Sequence, residues 1–176
     1  MENLGTLCDF HGTIVDANTA WINAFCYFVP NYEDTITDLV YKKTDRKKMA
    51  NMFNLDYADI VIKYREKLTV RRPVMEIIKK ISTNNEIIII SNASKERIWL
   101  DIDRVQTQLD IKILHVYSKE DGNKNDPKFI EYILDKHGFG TAYMIGNDIR
   151  QDFNPSKRIM NIFVPYKETI LRNRTL

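Results

Sequence analysis

Asp9 is the residue whose surroundings in the sequence point most directly to chemistry. It ends a short apolar segment that begins at Leu4, and a turn containing Gly12 and Thr13 follows it. This pattern predicts a β-strand that presents a carboxylate at its carboxyl end, which is the edge where open α/β sheets bind their ligands. A carboxylate in that position can attack a substrate or bind a metal, or it can do no more than cap the turn.

Three further apolar segments are each followed by polar side chains. In chain order these are Ser91 with Asn92, then Lys124, and then the group Gly146, Asn147, Asp148 and Asp152. Together with Asp9 they supply a carboxylate, a hydroxyl, a cation and a second group of carboxylates. This set suits phosphoryl transfer, because phosphate oxygens need donors and positive charge. Clustered carboxylates also repel one another unless a hard cation such as Mg²⁺ bridges them.

The segments that carry these groups alternate with helical patterns. Apolar runs predict strands at 4–9, 86–90, 111–117, 142–145 and 162–164. Apolar residues at helical spacing predict helices at 73–81, 94–105 and 126–137, and a short helix at 155–160. Alternation of this kind indicates right-handed crossovers and a parallel sheet that is covered on both faces. The expected fold is therefore α/β, with a Rossmann-like three-layer core.

Residues 17–72 interrupt this alternation, because they carry helical patterns throughout. An ordinary crossover between parallel strands needs only about a dozen residues. We therefore expect residues 1–16 and 73–176 to form the Rossmann-like core and residues 17–72 to form an inserted helical cap. A helical insertion beside a ligand-binding edge is well suited to act as a lid.

The composition narrows the class of protein. The chain has 176 residues, of which 44% are hydrophobic, and its formal net charge is +2. This size predicts one globular domain with a small insertion, and the near-neutral charge favours neither nucleic acid nor a membrane surface as a partner. The sequence predicts a soluble cytoplasmic protein without a signal peptide, in which Cys8 and Cys26 are reduced core thiols.

Read together, the polar groups resemble the four motifs of the haloacid dehalogenase-like (HAD) hydrolase superfamily, whose members are mostly phosphatases. The residues from Asp9 to Thr13 are similar to its first motif, Asp-x-Asp-Gly-Thr, and Ser91 follows an apolar strand as in the second. The stretch 124–129 is similar to the third motif, Lys-Pro-x-Pro followed by a helix, and 144–152 is similar to the fourth.

The resemblance implies a magnesium-dependent phosphatase that acts on a small phosphorylated substrate. Asp9 would attack phosphorus and form an aspartyl-phosphate, and Lys124 would neutralise charge and orient Asp9. Ser91 and Asn92 would hold the phosphoryl oxygens. The implied ligands of Mg²⁺ are Asp9, the backbone carbonyl of His11, Asp148 and Asp152. Residues 17–72 would be the cap that closes over the substrate.

Two positions depart from the family pattern. Asn147 stands where the fourth motif usually has an aspartate, and the spacing to Asp152 favours Asp148 as the residue that faces the metal. His11 stands where the phosphatases have a second aspartate for proton transfer. Either His11 performs this transfer, or the substrate has a good leaving group, or the chain binds a phosphorylated ligand or partner with little turnover. A metal-independent dehalogenase is a further alternative.

Overall fold

The computed structural model describes residues 3–166, and its contacts divide the chain into two compact units. The first unit contains the chain up to Val15 and again from Val70, and the second contains Asp16–Thr69. Each unit has its own core and is described separately below. Among residues 3–166, none of the helices combines the length and the apolar character needed to cross a bilayer.

The first unit is built on a five-stranded sheet in which all neighbouring strands are parallel. Its strands are β1 (Asn3–Cys8), β2 (Glu86–Ile90), β3 (Lys112–Tyr117), β4 (Phe139–Gly146) and β5 (Ile159–Phe163). Their spatial order is β3-β2-β1-β4-β5, so β1 is the central strand. The chain therefore has the predicted α/β fold, and the strand order reverses beside β1, where such sheets bind ligands.

Helices cover the sheet. In chain order after β1 they are α5 (Arg72–Ile81), α6 (Lys95–Val105), α7 (Pro127–Lys136) and the short α8 (Ile149–Asp152). β2 consists of Glu86 and four isoleucines, all four of them buried, as expected for a strand covered on both sides. Its core neighbours from the other strands and α7 are Leu7, Tyr117, Ile130, Ile133, Leu134, Ala142, Met144 and Ile159.

The second unit is helical. Its helices are α1 (Ala17–Phe28), α2 (Glu33–Tyr41), α3 (Arg46–Met52) and α4 (Tyr57–Lys67). Trp21 stacks with two tyrosine rings, with ring centroids 4.1 Å from Tyr64 and 6.4 Å from Tyr57, and only 4% of it is exposed. Packing inside this unit therefore accounts for Trp21.

The helix predicted at 155–160 is wrong. The structure has the short α8 earlier, and β5 begins at Ile159. Side-chain bonds explain the difference: Asn154 accepts a hydrogen bond from the N–H of Ser156, and the N–H of Asn154 donates to Asn161. Such local bonds offer the backbone an alternative to a helix. The remaining predicted tail, beyond Tyr166, lies outside the described residues.

Substitution of Ile88 by alanine tests the buried sheet. Ile88 is 0% exposed in the central part of the core, so we expect Ile88→Ala to lower the free energy of unfolding by about 2–5 kcal/mol, measured by urea denaturation. The matched control is Ile149→Ala, because Ile149 is 64% exposed. We expect the control to change stability by less than about 0.5 kcal/mol. Equal losses in the two variants would contradict the assignment of Ile88 to the core.

Candidate active site

Asp9 directly follows β1, at the carboxyl edge of the central strand. Its N–H donates to the carbonyl of Ile145 in β4, with the two atoms 2.9 Å apart. On the other side of β1, Cys8 pairs with Ile89 of β2. Asp9 is therefore held between two neighbouring strands at the point where the strand order reverses, and only 5% of it is exposed.

A tight loop follows Asp9. The carbonyl of Phe10 accepts hydrogen bonds from the N–H groups of Thr13 and Val15. Gly12 has a φ of +90°, and a Cβ atom at this position would lie 3.0 Å from the side chain of Asn147. The backbone conformation therefore favours glycine here, and the side chain of Asn147 leaves little room for a larger residue.

Arg71 fixes this loop to the end of the sheet. Its guanidinium donates to the carbonyls of Gly12 at 2.5 Å and Val164 at 2.9 Å, and its backbone N–H donates to the carbonyl of Ile14 at 2.8 Å. The planar guanidinium has enough donors to serve several carbonyls at once. Sequence reasoning assigned no role to Arg71, because its partners are distant in the chain.

Lys124 joins two carboxylates. Its Nζ lies 2.8 Å from Oδ1 of Asp9 and 2.6 Å from Oδ1 of Asp152, and the exposed fraction of the Lys124 side chain is 3%. Burial by itself would lower the pKa of Lys124, but the charges of Asp9 and Asp152 outweigh this effect and raise it. Lys124 is therefore a cation that offsets part of the negative charge at Asp9.

Asp152 reaches this site because position 146 has no side chain. A Cβ atom on Gly146 would lie 2.1 Å from the Cβ of Asp152. The second carboxylate oxygen of Asp152 accepts the N–H of Asp148 at 2.8 Å. Burial and the charge of Asp9 raise the pKa of Asp152, while Lys124 lowers it without reversing the shift. One ammonium group thus serves two buried carboxylates.

Ser91 lies at the same edge of the sheet. It follows β2, its N–H donates to the carbonyl of Tyr117 at 2.9 Å, and it is 4% exposed. Its hydroxyl accepts the N–H of Ala93 at 3.3 Å. Asn92, the next residue, is exposed. Their predicted roles in holding phosphoryl oxygens stay predictions.

His11 contacts a residue that the sequence reasoning missed. Its Nε2 lies 2.8 Å from Oδ2 of Asp101, which is on α6 and is fully buried. Burial lowers the pKa of His11 below its ordinary value, and this effect exceeds the opposing effect of the hydrogen bond to Asp101. The signal available in the sequence was position: Asp101 shares the buried face of α6 with Ile98, Ile102 and Val105.

Asn147 and Asp148 make different contacts. Thr13 Oγ1 lies 3.1 Å from both Asp9 Oδ2 and Asn147 Oδ1. The carboxylate of Asp148 instead accepts the N–H of Arg150 at 2.9 Å, as the N-terminal cap of α8. Asn147 thus lies beside the loop that follows Asp9, and the prediction that Asp148 faces the metal stays a prediction.

The hydroxyl of Thr13 is within hydrogen-bond distance of two acceptor oxygens, one on Asp9 and one on Asn147. A hydroxyl carries one proton and can donate to only one of the two oxygens at a time. Within residues 3–166, no cluster of three or more His, Cys, Asp or Glu side chains is suited to hold a metal ion. The donors fit Mg²⁺ bound through the single carboxylate of Asp9 and neutral oxygens, since this ion commonly uses one or two carboxylates and keeps several waters.

Removal of the Lys124 charge tests the buried cluster. In Lys124→Met the two carboxylates lose their shared cation, so we expect a loss of about 3–5 kcal/mol in the free energy of unfolding at pH 7.5. Because the pKa of Asp152 is already raised, the native variant takes up a proton at a higher pH than the unfolded chain does. Acidification therefore stabilises the native variant relative to its unfolded state, and the loss should be smaller at pH 5.

The matched control is Lys128→Met, because Lys128 is a neighbouring but exposed lysine. We expect it to change stability by less than about 0.5 kcal/mol at either pH. Urea denaturation at the two pH values measures both variants. A loss in Lys124→Met that does not depend on pH would contradict the proposed charge cluster.

Comparison with known proteins shows similarity in structure. No protein-family model and no curated protein matches the sequence. A hydrolase from Streptococcus pneumoniae is similar with a TM-score of 0.65 and 14% identity over the whole of both chains. A HAD-hydrolase from Bacillus subtilis bound to magnesium has a TM-score of 0.58 and 14% identity over 99% of each chain. A dehalogenase has a TM-score of 0.55 and 13% identity, covering 97% of this chain and 96% of its own.

These similarities extend over both units of the chain. Because the identities are only 13–14%, they establish the fold alone. The central parallel sheet, the helical segment after the first strand and the aspartate that follows that strand all lie within the matched length. The chain therefore has the fold of the haloacid dehalogenase-like hydrolases.

Proposed function

We propose that the chain is a magnesium-dependent phosphatase that acts on a small phosphorylated metabolite through an aspartyl-phosphate on Asp9. The observation that carries this proposal is the contact between Asp9 and Lys124 at the carboxyl edge of the central strand. A carboxylate nucleophile next to a fixed cation suits attack on an anionic phosphoryl group. In this proposal the helical unit, Asp16–Thr69, selects the substrate.

In the first step one carboxylate oxygen of Asp9 forms a bond to phosphorus, and the bond from phosphorus to the substrate oxygen breaks. The leaving oxygen takes a proton from the protonated form of His11. Lys124 offsets the negative charge that gathers around Asp9, and the hydroxyl of Ser91 donates to a phosphoryl oxygen. Proton transfer of this kind contributes about 10²–10⁴-fold to the rate.

In the second step a water molecule attacks phosphorus and gives a proton to His11. The bond between phosphorus and Asp9 breaks, so inorganic phosphate leaves and the carboxylate is restored. His11 ends with the proton that it lost in the first step. The two steps therefore return every side chain to its starting state.

A magnesium ion would be held by Asp9, Asn147 and the backbone carbonyl of His11. It would supply positive charge that the cluster of Asp9, Lys124 and Asp152 lacks, since that cluster has two carboxylates for one ammonium group. A similar fold in the magnesium-bound hydrolase from Bacillus subtilis supports this choice of cation.

A second candidate is a metal-independent dehalogenase. Its support is that Asn147 replaces a carboxylate and that Lys124 already supplies a cation to Asp9. Here a carboxylate oxygen of Asp9 would displace halide from carbon and form an ester. Water would then hydrolyse the ester at the carboxyl carbon of Asp9. The similarity in fold to a dehalogenase is compatible with this chemistry.

A screen of phosphorylated metabolites and 2-haloacids, each with Mg²⁺ and with EDTA, tests the two candidates. We expect Mg²⁺-dependent release of phosphate, and we expect Asp9→Asn to lower kcat by about 10⁴-fold or more because the amide cannot replace the nucleophile. Asp59→Asn, at an exposed aspartate of α4, is the control and should keep the native activity. Release of halide in EDTA, with no release of phosphate, would support the second candidate and contradict the first.

Thermal unfolding with and without Mg²⁺ tests the metal separately from turnover. A ligand that binds only the native state raises the unfolding midpoint, and a concentration of 100 times the Kd adds about 2.7 kcal/mol. We expect millimolar Mg²⁺ to raise the midpoint of the native chain and to have a much smaller effect on Asp9→Asn. No upward shift in the native chain would contradict a magnesium site at Asp9.

A further inference from the structure

α6 buries a carboxylate on its apolar face. Ile98, Ile102 and Val105 form this face, and Asp101 lies among them with 0% exposure. A buried carboxylate is costly to desolvate, whereas an apolar side chain at the same position would simply continue the face. The presence of Asp101 therefore needs a compensating contact, and His11 provides one.

The proton in this contact can be assigned. Nε2 of His11 and Oδ2 of Asp101 are 2.8 Å apart, and Nε of Arg97 lies 3.8 Å from the same carboxylate oxygen. Both neighbours of this carboxylate oxygen carry nitrogen donors, and a carboxylate oxygen accepts hydrogen bonds. Nε2 of His11 therefore carries the proton and donates it to Asp101.

The side chains of His11 and Asp101 differ in how much of each is exposed. Asp101 is fully buried, while 14% of the His11 side chain is exposed. The imidazole thus remains accessible although its partner is not. His11 also lies two residues after the proposed nucleophile, in the loop fixed by Arg71.

We infer that Asp101 is a positioning residue for His11, because its carboxylate accepts the Nε2 proton and so selects the tautomer in which Nδ1 is unprotonated. This inference rests on the proposed function only for the use of His11 in proton transfer. The same contact fixes the orientation of the imidazole ring in the loop that follows Asp9.

A neutral histidine at position 11 can take either of two tautomers. The two nitrogens of imidazole are distinct, and the hydrogen bond at one nitrogen decides which of them carries the proton. Asp101 is placed to select the tautomer of His11.

Asp101→Asn tests the inference, because an amide can either accept from Nε2–H or donate to Nε2 and so no longer selects one tautomer. The ¹⁵N chemical shifts of the imidazole rings report the tautomer directly, and the chain has only three histidines. A His11→Asn variant assigns the His11 signals. We expect native His11 to be in the Nε2–H form and to shift towards the Nδ1–H form in Asp101→Asn. The control, Asp103→Asn, changes an exposed aspartate of the same helix and should leave the signals unchanged.

Asp101→Leu is a second variant, chosen to keep the apolar face of α6 in case the amide prevents folding. We expect that in this variant, too, His11 is no longer held in the Nε2–H form. A native ring with the proton on Nδ1, or variants of Asp101 that keep the native signals, would overturn the inference. Because these spectra need no substrate, they decide the role of Asp101 even if no phosphatase activity is found.

Kinetics with a phosphate ester that the native chain hydrolyses provide a second test of the inference. We expect Asp101→Asn to lower kcat by about 10²-fold, within the usual contribution of a proton-transfer group, with little change in KM. We expect the double variant His11→Ala with Asp101→Asn to be no slower than His11→Ala, because Asp101 acts through His11. Native kcat in Asp101→Asn despite a changed tautomer would overturn the positioning role.

Discussion

The site depends on one buried ammonium group that is shared by two aspartates. Lys124 lies within 2.8 Å of Asp9 and within 2.6 Å of Asp152, and all three side chains are almost fully buried. A buried carboxylate without a partner is costly, because burial removes the water that solvates its charge. The loop that holds Lys124 therefore offsets the charge of a residue that precedes it by 115 positions in the chain.

The fold around this contact serves to bring distant segments together. Asp9, Ser91 and Asp152 each follow a different strand, and the parallel direction of the strands places their ends at one edge of the sheet. Arg71 then ties the loop after Asp9 to the end of β5. Sheet pairing and hydrogen bonds to main-chain carbonyls thus fix the positions of Asp9 and of the loop that follows it.

Much of this arrangement could be predicted from local patterns. The isoleucines of β2 form a continuous apolar run, and polar residues directly follow it, so both the strand and Ser91 could be recognised. Asp101 could not be assigned in the same way, because its role depends on a contact with His11, 90 positions away. The contact between Thr13 and Asn147 also required the structure, because the two residues are 134 positions apart in the chain.

The close approach at Gly146 has a consequence for how this protein can vary. Any side chain at position 146 would displace Asp152, and Asp152 in turn bonds to Lys124 and hence is linked to Asp9. We therefore expect every substitution at position 146 to disturb the site. Libraries of variants should therefore keep Gly146 constant, so that Lys124 keeps both of its carboxylate partners.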